Sequence, residues 1–365
     1  MNATQRLHEL GQSLWLDNIT REMLTNGTLR RYIDDFAITG LTSNPTIFDR
    51  AIRSGSFYDD SIRRKAAAGQ SGEALFIDLA LEDLAQAADL FGPVHEKTGG
   101  VDGWVSMEVS PLLADDTAGS IREAKRLHAR ARRSNLFIKI PGTPAGVPAI
   151  EEAIFAGVPI NVTLLFSREQ YLAAANAYLR GIERRIDAGL DPRVDSAASL
   201  FVSRWDVAVK DKVPAELRNR LGIAIAQRTY KAYRELLASP RWRGLAGAGA
   251  RLQRLLWAST GTKDPDAPDT LYVEALAAPD TINTIPDKTL LAFADHGQVE
   301  GVLPTDGGDA ERVIAEFRRA GVDDAAVAGQ LQAEGTRTFD KAWRALLDCI
   351  AAKSKALESA ARARG

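Results

Sequence analysis

The sequence holds one cysteine, Cys349, and four histidines in 365 residues. A lone thiol cannot close an internal disulfide or build a thiolate zinc framework, which suits a reducing compartment and makes a cytoplasmic location the expectation. His8, His95, His128 and His296 lie far apart and show no HExxH-type ligand spacing, so no metal site is expected. Charge of one sign is equally scarce. The 46 Lys and Arg against 48 Asp and Glu leave a net charge of −2, too little positive field to track a nucleic-acid backbone. No stretch reaches the roughly 18 uninterrupted apolar residues of a membrane span. The N-terminal MNATQRLHELGQSLWLD lacks the apolar segment behind a basic one that marks a secretory signal, so a soluble, unprocessed chain is expected. There is no GxxxxGK[ST], and the glycine cluster GLAGAG (244–249) precedes an apolar run instead of joining a strand to a helix, so it reads as a loop. Charged residues at 26% and hydrophobic residues at 45% are ordinary globular usage, which excludes disordered and collagen-like classes.

What the sequence has is alternation. Short apolar runs recur between long amphipathic or alanine-rich stretches, the pattern of parallel strands joined by helical crossovers. Eight runs read as strands: 13–19, 37–43, 103–109, 136–140, 159–165, 199–204, 254–260 and 281–285. Eight is the number that closes a parallel sheet into a barrel without edges. Helical periodicity is clear over 72–91, 120–133 and 168–188. No linker, compositional break or repeat divides the chain, so the expected architecture is α/β, a single (β/α)8 TIM barrel over 1–365 with helical insertions and C-terminal helices. The excess length falls in two places. Residues 205–239 read as a long helical pair, and two helices are expected over about 308–360, after the last strand. The last of them reads as an outer helix with a frayed basic end, with a cap over the barrel mouth as the alternative.

Parallel strands are usually buried on both faces, so a charged residue inside one needs a reason. Lys139 interrupts LFIKIPG, where its neighbours Phe137, Ile138 and Ile140 withhold solvation from the ammonium, and a free amine is a nucleophile toward ketones. In WVSMEVS, period two places Trp104, Ser106, Glu108 and Ser110 on one face and Val105, Met107 and Val109 on the other. The same parity sets Asn161, Thr163 and Leu165 against Ile160, Val162 and Leu164. Taken singly, each polar residue is equally well a helix cap, an ion pair or a strand end reaching solvent. Together, Asp17, Asn44, Glu108, Lys139, Thr163, Arg204 and Ser259 all fall in or just past the C-terminal halves of their strands, the functional end of a barrel. They supply an amine, two carboxylates for proton transfer, hydroxyl and amide donors and a cation, the equipment of a Schiff-base enzyme acting on a phosphorylated carbonyl compound.

Two stretches then resemble a known family. GLTSNPTIF (40–48) and LFIKIPGT (136–143), supported by WVSMEVSPLLADDT (104–117), NVTLLFS (161–167) and SLFVSRWD (199–206), are similar to transaldolase, in particular its longer bacterial subgroup. The resemblance implies a class I aldolase-type barrel that moves a dihydroxyacetone unit between sugar phosphates in the non-oxidative pentose phosphate pathway. Donors would be sedoheptulose 7-phosphate or fructose 6-phosphate, and acceptors glyceraldehyde 3-phosphate or erythrose 4-phosphate. It implies Lys139 as the imine-forming lysine, Asp17 as the acid/base at the bond cleaved, and Glu108 with Thr163 as the pair handling water and protons. Asn44 would orient the intermediate, Ser199 and Phe201 would line the site, and Arg204 would grip the phosphate. No metal or organic cofactor is implied. Two places depart from the family pattern: Leu112 stands where a basic residue is expected, and WASTGTK (257–263) replaces an Ala-Ser-Phe-Arg type of strand end. Ser259 is then the expected hydrogen-bond donor, and Lys263 the second phosphate charge, as a point charge without arginine's fork.

Within the same chemistry, the alternative is a fructose 6-phosphate aldolase that releases dihydroxyacetone; Glu108 and the chain length point to transfer. A non-catalytic phosphosugar-binding barrel is the reading from a different class. Sugar phosphates are the expected partners, nucleic acid and membrane are not, and monomer and homodimer both stay open.

Overall fold

The alternating runs fold as eight strands in the computed structural model, which describes residues 2–362. They are β1 (Gln12–Leu16), β2 (Ile38–Thr42), β3 (Trp104–Glu108), β4 (Leu136–Pro141), β5 (Ile160–Leu165), β6 (Ser196–Phe201), β7 (Gln253–Ala258) and β8 (Thr281–Ile285). All pair in parallel in chain order, and β8 pairs with β1 to close a (β/α)8 barrel. Every strand residue is buried, because helices cover the outer face and side chains fill the inner one. Outward residues such as Leu14, Val105, Met107, Ile138, Ile140 and Val162 join the cluster packed under the helices. Inward residues Trp15, Trp104, Phe137, Ala197, Leu256 and Ile282 belong to a second cluster inside the barrel. Trp104 and Phe137 stack there with centroids 4.1 Å apart.

Gly40 on β2 is required by that interior. A Cβ at this position would lie 2.7 Å from both the Trp15 indole nitrogen and the Trp104 carbonyl oxygen, closer than packed atoms approach. At the N-terminal end of the barrel, the Arg254 guanidinium pairs with Asp102 at 3.1 Å and donates to Ser13 Oγ and the Thr281 carbonyl. Asp102 also accepts from the Trp15 indole at 3.2 Å. This end is tied by a buried ion pair with hydrogen-bonded partners on both sides.

Several local expectations change. β6 starts at Ser196, not 199, because the small residues Ser196, Ala197 and Ala198 carry little hydrophobic signal yet pair with Gln253, Arg254 and Leu255 of β7. Arg204 therefore leaves the strand and sits in the first turn of the helix Ser203–Val209. The helical pair read over 205–239 is the end of that helix, a 3-10 turn at Ala215–Leu217 and the crossover helix Leu221–Ala238. Asp206 caps the crossover helix through the Leu221 and Gly222 amides and accepts the Tyr272 hydroxyl proton at 2.8 Å. Burial pushes its carboxyl up to about 6. The glycine cluster at 244–249 is not wholly loop: 244–247 complete the helix Pro240–Gly247.

After β8 come the helix Asp287–His296 and then, in the range where two helices are expected, Ala310–Arg319 and Asp324–Arg362. The last runs over the C-terminal end of the barrel, against the helices Pro45–Arg53, Asp59–Ala67 and Ser203–Val209 and the end of β5. Its Leu331 and Phe339 join Phe166, Phe201 and Trp205 in the interior cluster, and its Trp343 meets Phe76 edge-on at 5.1 Å. The cap reading of this helix is the one the fold adopts; residues 363–365 of the expected basic end lie outside the described residues. No helix among the described residues is long and apolar enough to cross a membrane.

Candidate active site

Period two carries the interior from apolar to polar toward the C-terminal ends of the strands. Trp15 is followed two residues on by Asp17, Phe137 by Lys139, Trp104 by Ser106 and then Glu108, and Asn161 by Thr163. Glu108 and Lys139 are register partners on β3 and β4, as are Lys139 and Asn161 on β4 and β5. A cavity of about 740 Å³ opens above them. Asp17, Asn44, Lys139, Thr163, Ser199, Phe201, Arg204, Ser259 and Lys263 all line it, while Glu108 lies behind Lys139 with Oε2 3.7 Å from Nζ. All ten residues singled out from the sequence thus converge on one place.

Lys139 is buried and donates to the Ser43 carbonyl oxygen at 3.1 Å. Burial raises the Glu108 carboxyl above its ordinary value; the neighbouring Lys139 opposes the rise and Asp17 adds to it. Burial likewise raises Asp17, against the pull of Lys139, a 3.0 Å hydrogen bond from Thr42 and the charge of Lys263, with Asp287 pushing the same way as burial. Burial thus holds two carboxyls above the usual carboxylate range beside one amine, the kind of group that takes up and gives back a proton in catalysis. The buried Glu108 Oε2 and Thr163 Oγ1 have no hydrogen-bond partner within the protein, the fit expected of groups that handle water or a substrate hydroxyl.

The remaining positions are held from behind. Asn44 spends its side-chain oxygen on the N-terminus of the helix Pro45–Arg53, accepting from the Ile47 amide at 3.0 Å, so its amide nitrogen is the part that serves the cavity. Ser199 donates to Asn161 at 2.7 Å, and Asn161 in turn donates to Ser106. Ser259, at φ +56°, shares a hydrogen bond with Ser203 at 2.9 Å. The half-buried Arg204 lies 5.2 Å from the Phe201 ring centroid and forms no ion pair among the described residues. Burial lowers its guanidinium from the ordinary value, and Asp17 and Glu334 oppose the shift. Lys263 is exposed at the rim. Leu112, where the family pattern is basic, is also exposed.

One parity expectation fails at the site. Leu164 takes a left-handed φ of +59° and the β5–β6 register shifts between Val162 and Leu165, so Leu164 turns into the interior cluster and Leu165 joins the outer one. A bulge swaps faces and period two cannot foresee it. Sequence reasoning also missed Thr42, Arg50, Thr284, Glu334 and Thr338, which line the same cavity. Thr42 could have been found, since it follows Gly40 on the inner face of β2. Glu334 and Thr338 carry no such signal, because their helix reaches the mouth only by tertiary packing. Among the described residues no group of three or more His, Cys, Asp or Glu side chains is arranged to hold a metal ion.

Comparison with known proteins agrees with this geometry. Residues 14–350 match the family described as Transaldolase/Fructose-6-phosphate aldolase. The transaldolase of Thiobacillus denitrificans is 44% identical over 95% of this chain and 99% of its own length. The transaldolase of Thermobifida fusca is 45% identical over 95% of this chain and 97% of its own. Transaldolase 2 of a Nostoc species is 38% identical over 98% and 99%. With the match spanning the whole barrel and the mouth residues it carries, the chain belongs to the transaldolase/fructose-6-phosphate aldolase family.

Proposed function

We propose that the chain is a transaldolase, transferring a dihydroxyacetone unit from sedoheptulose 7-phosphate or fructose 6-phosphate to glyceraldehyde 3-phosphate or erythrose 4-phosphate. The observation that carries this is the joint placement of a buried amine and several mouth cations in one cavity: Lys139 at the floor, with Arg204, Lys263 and the exposed Arg50 nearer the opening. An extended ketose phosphate fits that polarity, its ketone toward the amine and its dianion toward the cations.

Lys139 attacks the C2 carbonyl carbon, and the carbonyl oxygen takes up a proton to give a carbinolamine. Glu108, through a water held by Thr163, protonates the departing hydroxyl, which leaves as water and generates an iminium. Asp17 takes the proton of the C4 hydroxyl, the C3–C4 bond breaks, and its electron pair flows into the iminium as an enamine while the aldose phosphate departs. The raised carboxyls suit these exchanges, since each group must both hold and release a proton during a cycle. The Asn44 amide holds the intermediate until C3 attacks the carbonyl of the second aldose phosphate, whose oxygen recovers the proton from Asp17. Water then releases the new ketose from Lys139. Arg204, without a carboxylate partner of its own, meets the phosphate, and Ser259 and Lys263 complete its surroundings.

Transfer is favoured over cleavage to free dihydroxyacetone by Glu108 and by full-length similarity to proteins named transaldolase. The same reading places the chain in the cytoplasm, with sugar phosphates as its small-molecule partners. The test is borohydride reduction in the presence of fructose 6-phosphate, read by peptide mass spectrometry. A three-carbon adduct on Lys139 is expected, and its absence refutes the Schiff-base reading. Added erythrose 4-phosphate should yield sedoheptulose 7-phosphate; accumulation of dihydroxyacetone instead would assign the cleavage activity.

A further inference from the structure

Where the β4–β5 ladder ends, two backbone carbonyls are taken up by a residue from the far end of the chain. The β4–β5 ladder runs out at the bond from the Gly142 amide to the Thr163 carbonyl, 2.8 Å. The next carbonyls, those of Gly142 and Leu164, turn toward the C-terminal helix Asp324–Arg362. Gln332 Nε2 donates to both, at 3.0 Å and 2.9 Å. Of the two ends of the glutamine amide only the NH2 carries hydrogens, two of them for two acceptors, so the carbonyls themselves fix the orientation of the Gln332 side chain. The helix is brought within reach by Gly335, one turn further on: a Cβ there would lie 2.9 Å from the Leu164 side chain and 3.7 Å from the Arg204 guanidinium.

The two carbonyls bracket the chemistry. Gly142 is three residues beyond Lys139 on the same chain segment, and Leu164 directly follows Thr163, whose buried hydroxyl oxygen has no hydrogen-bond partner in the protein. We propose that Gln332 is a positioning residue for the reaction, tying together the backbone just past the last β4–β5 pair and thereby holding Thr163 in place relative to Lys139. This rests on the transaldolase reading, in which Thr163 and Glu108 manage the water lost as the iminium forms. The step that depends on Gln332 is therefore imine formation, and phosphate binding at Arg204 depends on it much less.

The experiment follows single-turnover formation of the borohydride-trapped adduct on Lys139 with fructose 6-phosphate, alongside steady-state kcat and KM and thermal unfolding. Gln332→Met keeps the length of the side chain and removes both donors; it should slow adduct formation and kcat together by about 10-fold, since small displacements of reacting groups are costly, while KM and the unfolding midpoint stay close to those of the parent. Gln332→Lys retains donors toward the two carbonyls and should recover most of the rate. An unchanged rate of adduct formation in Gln332→Met overturns the proposal, as does a loss that tracks a lowered unfolding midpoint and is not relieved by lysine. Should Gln332→Met fail to fold, Gln332→Asn, which withdraws the donors by one methylene, makes the same comparison, and an unaltered rate in it is equally fatal. Absence of any adduct in the unmodified chain refutes the transaldolase reading, whereas equal rates with and without the amide refute only the role of Gln332.

Discussion

Replacing Arg204 by methionine should abolish the preference for a phosphorylated donor while leaving the carbon–carbon chemistry in place. Arg204 is half-buried beside the Phe201 ring and has no carboxylate partner among the described residues, so its donors are free and partly desolvated before substrate arrives. A hydrogen bond to a charged group contributes about 1.5–3 kcal/mol, and a guanidinium fork makes two to one phosphate, hence about 3–6 kcal/mol for the contact. At 1.4 kcal/mol per decade, kcat/KM for fructose 6-phosphate should fall by about 10²–10⁴-fold in Arg204→Met. For unphosphorylated fructose the same variant should change little, since the interaction lost has no partner on that substrate. Arg204→Lys should fall between, because an ammonium cannot reproduce the planar fork. Lys263 offers the contrast: it is exposed, so solvent screens it, and Lys263→Met should cost less than about 5-fold, an effect that fades as salt is raised. The assay is kcat/KM for both sugars across parent, Arg204→Met, Arg204→Lys and Lys263→Met. Undiminished discrimination by Arg204→Met, or a larger loss in Lys263→Met, would refute the assignment of the phosphate to Arg204.

Asp17→Ala should still trap fructose 6-phosphate on Lys139, now as the uncleaved six-carbon adduct, while cleavage falls by about 10²-fold or more for want of the base at C4; a folded variant that no longer traps would contradict that role. Glu108→Gln should lower kcat and raise stability at neutral pH. Because its folded carboxyl sits above the ordinary 4.5, the folded state binds the proton more tightly, and ionisation costs stability as pH rises through the raised value. The gain in urea denaturation should be present at pH 7 and vanish below about pH 4.5, and a gain that grows toward acid pH would reverse the sign of the argument. Arg254→Met, at the opposite end of the barrel, leaves Asp102 buried without its cation and should cost about 3 kcal/mol in urea denaturation with kcat at permissive temperature unaltered; reduced kcat would couple the two ends.

Much of this protein can be read along the chain. Lys139, Glu108 and Asp17 stand out because charged residues within apolar strands demand a reason, and period two correctly turns Glu108 and Lys139 toward the same interior as Trp104 and Phe137. The eight strands follow from the alternation of short apolar runs with helical stretches, and the closure of the barrel follows from strands that must be buried on both faces. Where side chains are small the signal fades, so the apolar pattern starts β6 three residues late and makes Arg204 a strand residue. Periodicity also assumes regular backbone, so the left-handed turn at Leu164 exchanged the faces of Leu164 and Leu165 without warning. The C-terminal helix marks the limit. Its periodicity says that it has an apolar side, but an apolar side has no address, and burial against the outer wall or across the mouth satisfies the same pattern. Only tertiary structure decided that Leu331 and Phe339 pack over the mouth, that Glu334 approaches Arg204 and that Gln332 reaches carbonyls 190 and 168 residues away. The residues of the reaction were written locally, in what each strand could not otherwise tolerate; the lid that holds them was not, because the hydrophobic effect chooses how much surface to bury and leaves which surface to the complementarity of the folded parts.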